Sequence, residues 1–128
     1  MKIGLHEGYK HSIKVTVTPQ MFAQFEGNVV HPVYSTVSMV YHMEWVSRQI
    51  ILPFLEKEEE GMGAEVKVKH ISPSKVGSEL EIVANVTTYT GSKVETKVEI
   101  YDRDRLIGIG EVKQVILPKT KINELINN

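Results

Sequence analysis

The chain has 128 residues, of which 41% are hydrophobic and 24% charged, with 15 basic against 16 acidic side chains and no cysteine. These proportions are typical of one globular domain, here residues 1–128, which buries roughly two thirds of the surface that the unfolded chain exposes. The absence of cysteine excludes disulfides and thiol nucleophiles, the net charge of −1 does not favour nucleic-acid binding, and no apolar run reaches the ~20 residues of a membrane span.

The first half of the chain predicts one short strand and one long helix. Polar and apolar residues alternate over Ser12–Val17, which is the pattern of a strand, whereas Met21–His31 reads as irregular or weakly helical chain. Tyr34–Leu55 contains no glycine and only one proline, Pro53, so we expect a helix about 30 Å long. The acidic run Glu56–Glu60 is expected to be a solvated exit from that helix.

The second half predicts strands only. Alternation and turn residues indicate four of them, whose short connections favour an antiparallel meander: Met62–His70, Glu79–Thr87, Val94–Tyr101 and Leu106–Leu117. One face of this sheet is apolar and needs a cover, and the long helix is the only candidate. The predicted fold is therefore α+β, with a long central helix wrapped by a curved antiparallel sheet of about five strands, followed by a short helix near residues 121–128.

Glu44 is the first residue whose predicted place does not fit its chemistry. On a helical wheel it falls within about 40° of Val37, Ile51 and Leu55, on the arc expected to face the sheet. Burial would raise the pKa of this carboxyl, which suits a catalytic group. The alternative is an ion pair with Arg48, four residues later.

His70 and Thr36 supply two further groups. His70 ends an inward-facing row that includes Val66 and Val68, where it is either a hydrogen-bonded core residue or a catalytic one. Thr36 stands at the expected helix start, where it can cap the helix and also present its hydroxyl beside the positive helix end. A carboxylate, an imidazole and a hydroxyl that meet between helix and strand would suit hydrolysis of an ester or thioester.

Two segments carry a family resemblance. Pro32–Trp45 and Gly63–His70 contain a Thr, a Glu eight residues later in a Met-Glu-Trp context, and a His twenty-six residues beyond the Glu. With the late Leu106–Gly110 segment, they resemble the hotdog-fold acyl-CoA thioesterases, and among these the fluoroacetyl-CoA thioesterase-like group. The resemblance makes Thr36, Glu44 and His70 the expected catalytic residues.

The resemblance also implies an assembly and a substrate. It implies a homodimer with active sites at the subunit interface, while the pairing of dimers into tetramers stays open. It implies an acyl-CoA substrate, no metal and no cofactor. Gly63 is expected to contact the substrate near the thioester carbonyl, and Gln114 stands where the fluoroacetyl specialist has a basic substrate-contacting residue. Fluoroacetyl specificity is therefore not carried over.

The predicted function is hydrolysis of a small or short-chain acyl-CoA to the free acid and CoA. Glu44 would act as general base or as nucleophile, Thr36 would position the reacting group, and His70 would supply a proton to the departing CoA thiolate. The alternatives are a hotdog module that binds acyl-CoA without turnover and a hotdog hydratase or dehydratase. Because residues 1–14 contain no signal-peptide pattern, we expect a cytoplasmic protein with neither nucleic-acid nor membrane partners.

The other histidines and two methionines are assigned to structure. The remaining histidines lack metal-ligand spacing, and His42 is expected on the more polar arc of the helix. Met39 and Met43 are expected in core or dimer packing.

Overall fold

The structure, a computed structural model, describes all of residues 1–128. Its strands are β1 (Lys10–Thr16), β2 (Phe22–Phe25), β3 (Asn28–Tyr34), β4 (Glu59–His70), β5 (Glu79–Tyr89), β6 (Lys93–Asp102) and β7 (Arg105–Pro118). The helices are α1 (Thr36–Ile51) and α2 (Lys119–Ile126), and 3-10 turns cover Pro19–Met21 and Leu52–Phe54. No helix has the length and hydrophobicity that crossing a membrane requires.

Five strands form one antiparallel sheet in the order β1-β5-β6-β7-β4. Strands β5, β6 and β7 form a meander as predicted, but β4 pairs with β7 and not with β5, so the prediction of a four-strand meander is wrong. The segment that links β4 to β5 passes the start of α1, where the Tyr34 N–H donates to the Ser74 carbonyl at 2.8 Å. Consequently β4 is an edge strand, and one side of its twelve-residue backbone is unpaired within the chain.

Helix α1 packs on the inner face of this sheet. Close approach is possible because β7 carries Gly108 and Gly110, where a Cβ would lie 2.6 Å from Met39 Sδ and 2.5 Å from Met43 Sδ respectively. Both methionines are fully buried, which confirms their predicted place in the packing. The predicted architecture of one long helix on a five-strand antiparallel sheet is also confirmed.

The helix is shorter than the predicted Tyr34–Leu55. Tyr34 ends strand β3, and Ser35 is the N-cap, because its hydroxyl accepts a hydrogen bond from the Ser38 N–H at 3.0 Å. Pro53 lies in the 3-10 turn that follows α1, where a proline cannot continue α-helical hydrogen bonding. Thr36 is thus the first residue of the helix and not its cap, and its hydroxyl is available for another contact.

The prediction of irregular or weakly helical chain over Met21–His31 is wrong. Strands β2 and β3 form a hairpin whose last pair is Phe25 with Asn28. The two residues between them, Glu26 and Gly27, have φ values of 53° and 78°, as two-residue turns of type I′ require. Register shifts on either side of Ala23 break the alternation, so the strand pattern is weak in the sequence.

The acidic run is not simply a solvated exit, because Glu59 and Glu60 belong to β4. Glu60 Oε2 lies 3.0 Å from Arg48 Nη1 and accepts the Gly61 N–H at 2.8 Å. The hydrogen bond from Arg48, followed by the one from the Gly61 backbone, lowers the pKa of Glu60. The ion pair joins the start of β4 to the last turn of α1, and the Gly61 N–H holds the Glu60 carboxylate in place for it.

Candidate active site

Thr36 and His70 meet at the start of α1. Thr36 Oγ1 lies 2.9 Å from His70 Nδ1, and His70 Nε2 lies 3.1 Å from the carbonyl oxygen of Ser72. A carbonyl oxygen only accepts, so Nε2 carries a proton, and in the neutral ring Nδ1 then accepts the hydrogen bond that the Thr36 hydroxyl donates. The contacts therefore fit a neutral imidazole in one tautomer, with its basic nitrogen facing a hydroxyl.

This pair is accessible and lies beside the positive end of a helix. Thr36 is exposed and His70 is half-buried. The first turn of a helix has backbone N–H groups without helical partners, and its dipole favours negative charge there. A hydroxyl, a basic nitrogen and N–H donors can together move a proton and stabilise an oxyanion.

Glu44 does not lie at this pair. It stands eight residues after Thr36 on α1, which corresponds to about 12 Å along the helix axis. Its side chain is on the exposed side of the helix and not on the inward face that the wheel predicted. Within one chain, the structure brings together two of the three predicted catalytic residues.

The helical wheel gave the wrong orientation for Glu44 because α1 carries two stripes of residues with helical spacing. Val37, which was expected to face inward, is 74% exposed, and Glu44 shares its side of the helix. The stripe that packs on the sheet consists of Met39, Met43, Val46 and Ile50. Both stripes contain apolar residues, and only the packing against the sheet distinguishes them.

Glu44 lines a cavity of about 250 Å³ between α1 and β4. Gly61 and Gly63 contribute the β4 side of this cavity, and a Cβ on Gly63 would lie 3.2 Å from Glu44 Oε1. The Arg48 guanidinium, which was the alternative partner of Glu44, is paired with Glu60 instead. Glu44 thus presents a carboxylate without a salt-bridge partner in the chain.

Gly63 and Gln114, the two predicted substrate-binding residues, lie opposite each other on β4 and β7 and line the same cavity. Gln114 is 5% exposed, and its Nε2 donates to the Ser47 carbonyl oxygen of α1 at 3.1 Å. The side-chain amide nitrogen is therefore held by the helix backbone. The part of the cavity wall that Gly63 and Gln114 form carries no charge.

His42 is buried and does not lie on the polar side of α1, where the helical wheel predicted it. His42 is 6% exposed, and its Nδ1 lies 2.7 Å from the hydroxyl of Tyr34, which is fully buried. Burial lowers the pKa of His42 and raises the pKa of Tyr34. The available signal was spacing, because His42 lies three residues after Met39 and four before Val46, within the packed stripe.

Comparison with known proteins identifies the family of the chain. The profile of the family described as fluoroacetyl-CoA-specific thioesterase matches residues 17–120. The chain belongs to this family. Within it, the fluoroacetyl-CoA thioesterase of Streptantibioticus cattleyicolor is 25% identical over 134 residues, which cover 96% of this chain and 93% of that protein. The predicted acyl-CoA thioesterase, a thioester hydrolase, is thereby confirmed at the level of the family.

Solved structures extend the comparison to the fold. A Thermus thermophilus member of the thioesterase superfamily has a TM-score of 0.92 and 42% identity, covering 98% of this chain and 93% of that one. The fluoroacetyl-CoA thioesterase FlK has a TM-score of 0.87 and 22% identity, covering 97% and 96% respectively. The predicted hotdog fold is confirmed. No group of three or more His, Asp or Glu side chains is arranged to hold a metal ion.

Proposed function

We propose that this thioesterase hydrolyses a small or short-chain acyl-CoA, with Thr36, Glu44 and His70 as its catalytic residues. The observation that carries the proposal is the 2.9 Å contact between Thr36 Oγ1 and His70 Nδ1. It pairs a hydroxyl with a basic nitrogen whose tautomer is set by the Ser72 carbonyl. Such a pair can accept a proton from an attacking group and return it to a leaving group.

The reaction requires one water molecule and no redox step. Glu44 either removes a proton from water, which then attacks the thioester carbonyl carbon, or attacks that carbon itself and forms an anhydride that water hydrolyses. In both cases the carbon–sulfur bond breaks and the CoA thiolate takes a proton. His70 relays this proton: its Nδ1 accepts the proton that is released when water is added, and the imidazolium then gives it to the thiolate. Backbone N–H groups at the start of α1 would stabilise the oxyanion, an effect worth about 10²–10³ in rate.

The surface of α1 supports a homodimer. Three exposed apolar residues, Val37, Tyr41 and Trp45, follow one another at four-residue intervals. Tyr41 and Trp45 line the same cavity as the glycines of β4, so this stripe lies on the side of the free β4 edge. An unpaired strand beside an apolar helix face is a surface that a second copy of the chain can cover.

A dimer of this kind also explains why Glu44 is separated from Thr36 and His70. A two-fold axis between two β4 edges makes the two copies of α1 antiparallel. If the axis passes near Tyr41, the centre of the apolar stripe, Glu44 lies opposite Ser38 of the partner subunit. Ser38 is two residues from Thr36, so we propose that each active site combines Thr36 and His70 of one subunit with the partner subunit's Glu44.

The cavity beside Glu44 supports a small acyl group. Its volume of about 250 Å³ is about eight times the roughly 30 Å³ that one water molecule occupies, which suits a short acyl chain and not a long one, and Tyr41 and Trp45 supply aromatic walls. Gly63 leaves space beside the carboxylate, its cross-strand neighbour Gln114 adds no positive charge, and the one cation of the lining, Arg48, is paired with Glu60. We therefore assign Gly63 and Gln114 to substrate binding and propose uncharged short acyl chains, in a cytoplasmic enzyme.

A thiol-release assay over acyl-CoAs from acetyl to octanoyl tests the proposal. We expect hydrolysis that is fastest for the short chains, and a fall of about 100-fold or more in Glu44→Gln and in His70→Ala. Size-exclusion chromatography and thermal unfolding of each variant serve as controls for assembly and folding. Variants that hydrolyse the acyl-CoAs as fast as the parent would contradict the assigned roles.

A further inference from the structure

Tyr34, the last residue of β3, contacts two histidines at once. Its ring stacks on His42 with centroids 5.8 Å apart and planes at 9°, and its hydroxyl lies 2.7 Å from His42 Nδ1. It also meets the His70 ring edge-on, at 6.4 Å and 71°. Its backbone N–H donates to the Ser74 carbonyl, which ties Tyr34 to the segment that follows His70.

The hydrogen bond between Tyr34 and His42 has a defined direction. The pKa of the phenol is raised and that of the imidazole is lowered, both by burial, so both groups are neutral near pH 7. A buried O–H needs an acceptor and His42 Nδ1 is the only group within hydrogen-bond distance of it, so the Tyr34 hydroxyl donates and Nδ1 accepts. His42 is the only hydrogen-bond partner of this hydroxyl, and Tyr34 is fully buried. A variant without that acceptor would leave a buried donor unpaired, which is unfavourable.

We propose that Tyr34 is a positioning residue for His70 and that His42 holds Tyr34 in place. The contacts of Thr36 and Ser72 hold the two ring nitrogens of His70, but two points leave the tilt of the ring plane free. The edge contact with Tyr34 is a third constraint, and it restricts that tilt. Tyr34 has no proposed part in the reaction itself and acts through its contact with His70, so the inference rests on the proposed role of His70.

A pair of variants separates positioning from simple stability. His42→Leu leaves the Tyr34 hydroxyl without an acceptor, so Tyr34 shifts and His70 loses its support. We expect kcat to fall by about tenfold with KM unchanged, because an orienting contact is lost and a substrate contact is not. In Tyr34→Phe/His42→Leu both polar groups are removed and the ring remains, so we expect kcat to return to within about twofold of the parent.

A second double variant, Tyr34→Leu/His42→Leu, removes the ring itself. Its kcat is expected to stay about tenfold below that of Tyr34→Phe/His42→Leu, and this comparison holds even where the single variant does not fold. Nitrogen-15 NMR of the histidine side chains gives a readout independent of turnover. We expect the His70 signals of one neutral tautomer in the parent and in Tyr34→Phe/His42→Leu, and averaged signals in the ring-less variant.

Three results would overturn the inference. The first is a His42→Leu protein with a parent-like kcat and a lower Tm. The second is a Tyr34→Phe/His42→Leu protein whose kcat is as low as that of His42→Leu. The third is an equal kcat in the two double variants. His70→Ala is measured alongside them. Full activity in that variant would mean that the proposed function of His70 is wrong. If that variant loses activity, a negative result in the other variants contradicts the role of Tyr34 alone.

Discussion

Gly63→Ala tests whether the position of the Glu44 carboxylate limits turnover. A methyl group on Gly63 would lie 3.2 Å from Glu44 Oε1, and no other atom of the chain beyond its neighbours lies within 4 Å of it. Ordinary contact begins at 3.4 Å, so the carboxylate must move by a few tenths of an ångström. Since a misplacement of about 1 Å can cost on the order of 100-fold in rate, we expect kcat to fall by about three- to tenfold.

The same substitution should leave the fold intact. The new methyl group meets only the end of a flexible side chain, and replacing glycine by alanine stabilises the fold by about 0.4–1 kcal/mol because it lowers the conformational entropy of the unfolded chain. We therefore expect an unchanged or slightly higher Tm together with the lower kcat. Thiol release at saturating acyl-CoA and thermal unfolding measure the two quantities.

Gly110→Ala is the matched control. Its methyl group would lie 2.5 Å from Met43 Sδ and 2.6 Å from the Lys67 carbonyl oxygen, which is backbone and cannot easily yield. We expect this variant to lower Tm clearly, in contrast to Gly63→Ala. A Gly63→Ala protein with full kcat would refute the reasoning that this carboxylate is a reacting group held to within a fraction of an ångström.

Three further predictions follow from other contacts. Thr36→Val removes the hydroxyl that donates to His70, so we expect thiol release about 10- to 100-fold slower than in Thr36→Ser, which keeps the donor. Because burial lowers the pKa of His42, the stability contributed by its neutral form is present above its ordinary pKa of ~6.5 and is lost as the pH falls below it. Urea unfolding should show that the free energy of unfolding falls more between pH 7.5 and pH 5 in the parent than in Tyr34→Phe/His42→Leu. Tyr41→Lys places a charge in the centre of the exposed apolar stripe, so size-exclusion chromatography should show monomers, whereas a Tyr41→Lys dimer would contradict the proposed interface.

Local pattern predicted most of the sheet and the existence of the long helix. Strict alternation along β5, β6 and β7 identified these strands, because one face of each is buried and period two is then visible in the sequence. The contact between Thr36 and His70 was predictable from the same alternation. His70 ends the row of inward-facing residues on its strand, and that end of the row meets the start of the helix that covers the sheet. The helical wheel singled out Glu44, although it placed the side chain on the wrong side of α1, and the family resemblance added Gly63 and Gln114 to the candidate site.

Features decided by long-range packing were not predictable in this way. The place of β4 beside β7 depends on a crossover, and short connections favoured a neighbour of β5. The hairpin depends on a positive φ at Glu26, a residue type that rarely marks such a turn. The orientation of α1 depends on which of two apolar stripes the sheet selects, and this choice decided the positions of both Glu44 and His42.

The central claim is that each active site combines residues of two subunits, and mixed dimers test it most directly. Glu44→Gln and His70→Ala are each expected to be inactive, but a dimer of one with the other would contain one site with all three catalytic residues intact. Random exchange makes about half of the dimers mixed, and each mixed dimer has one of its two sites intact. The exchanged sample should therefore regain roughly a quarter of the parent's activity. No recovery, with mixed dimers demonstrated by mass spectrometry, would contradict a site shared between subunits.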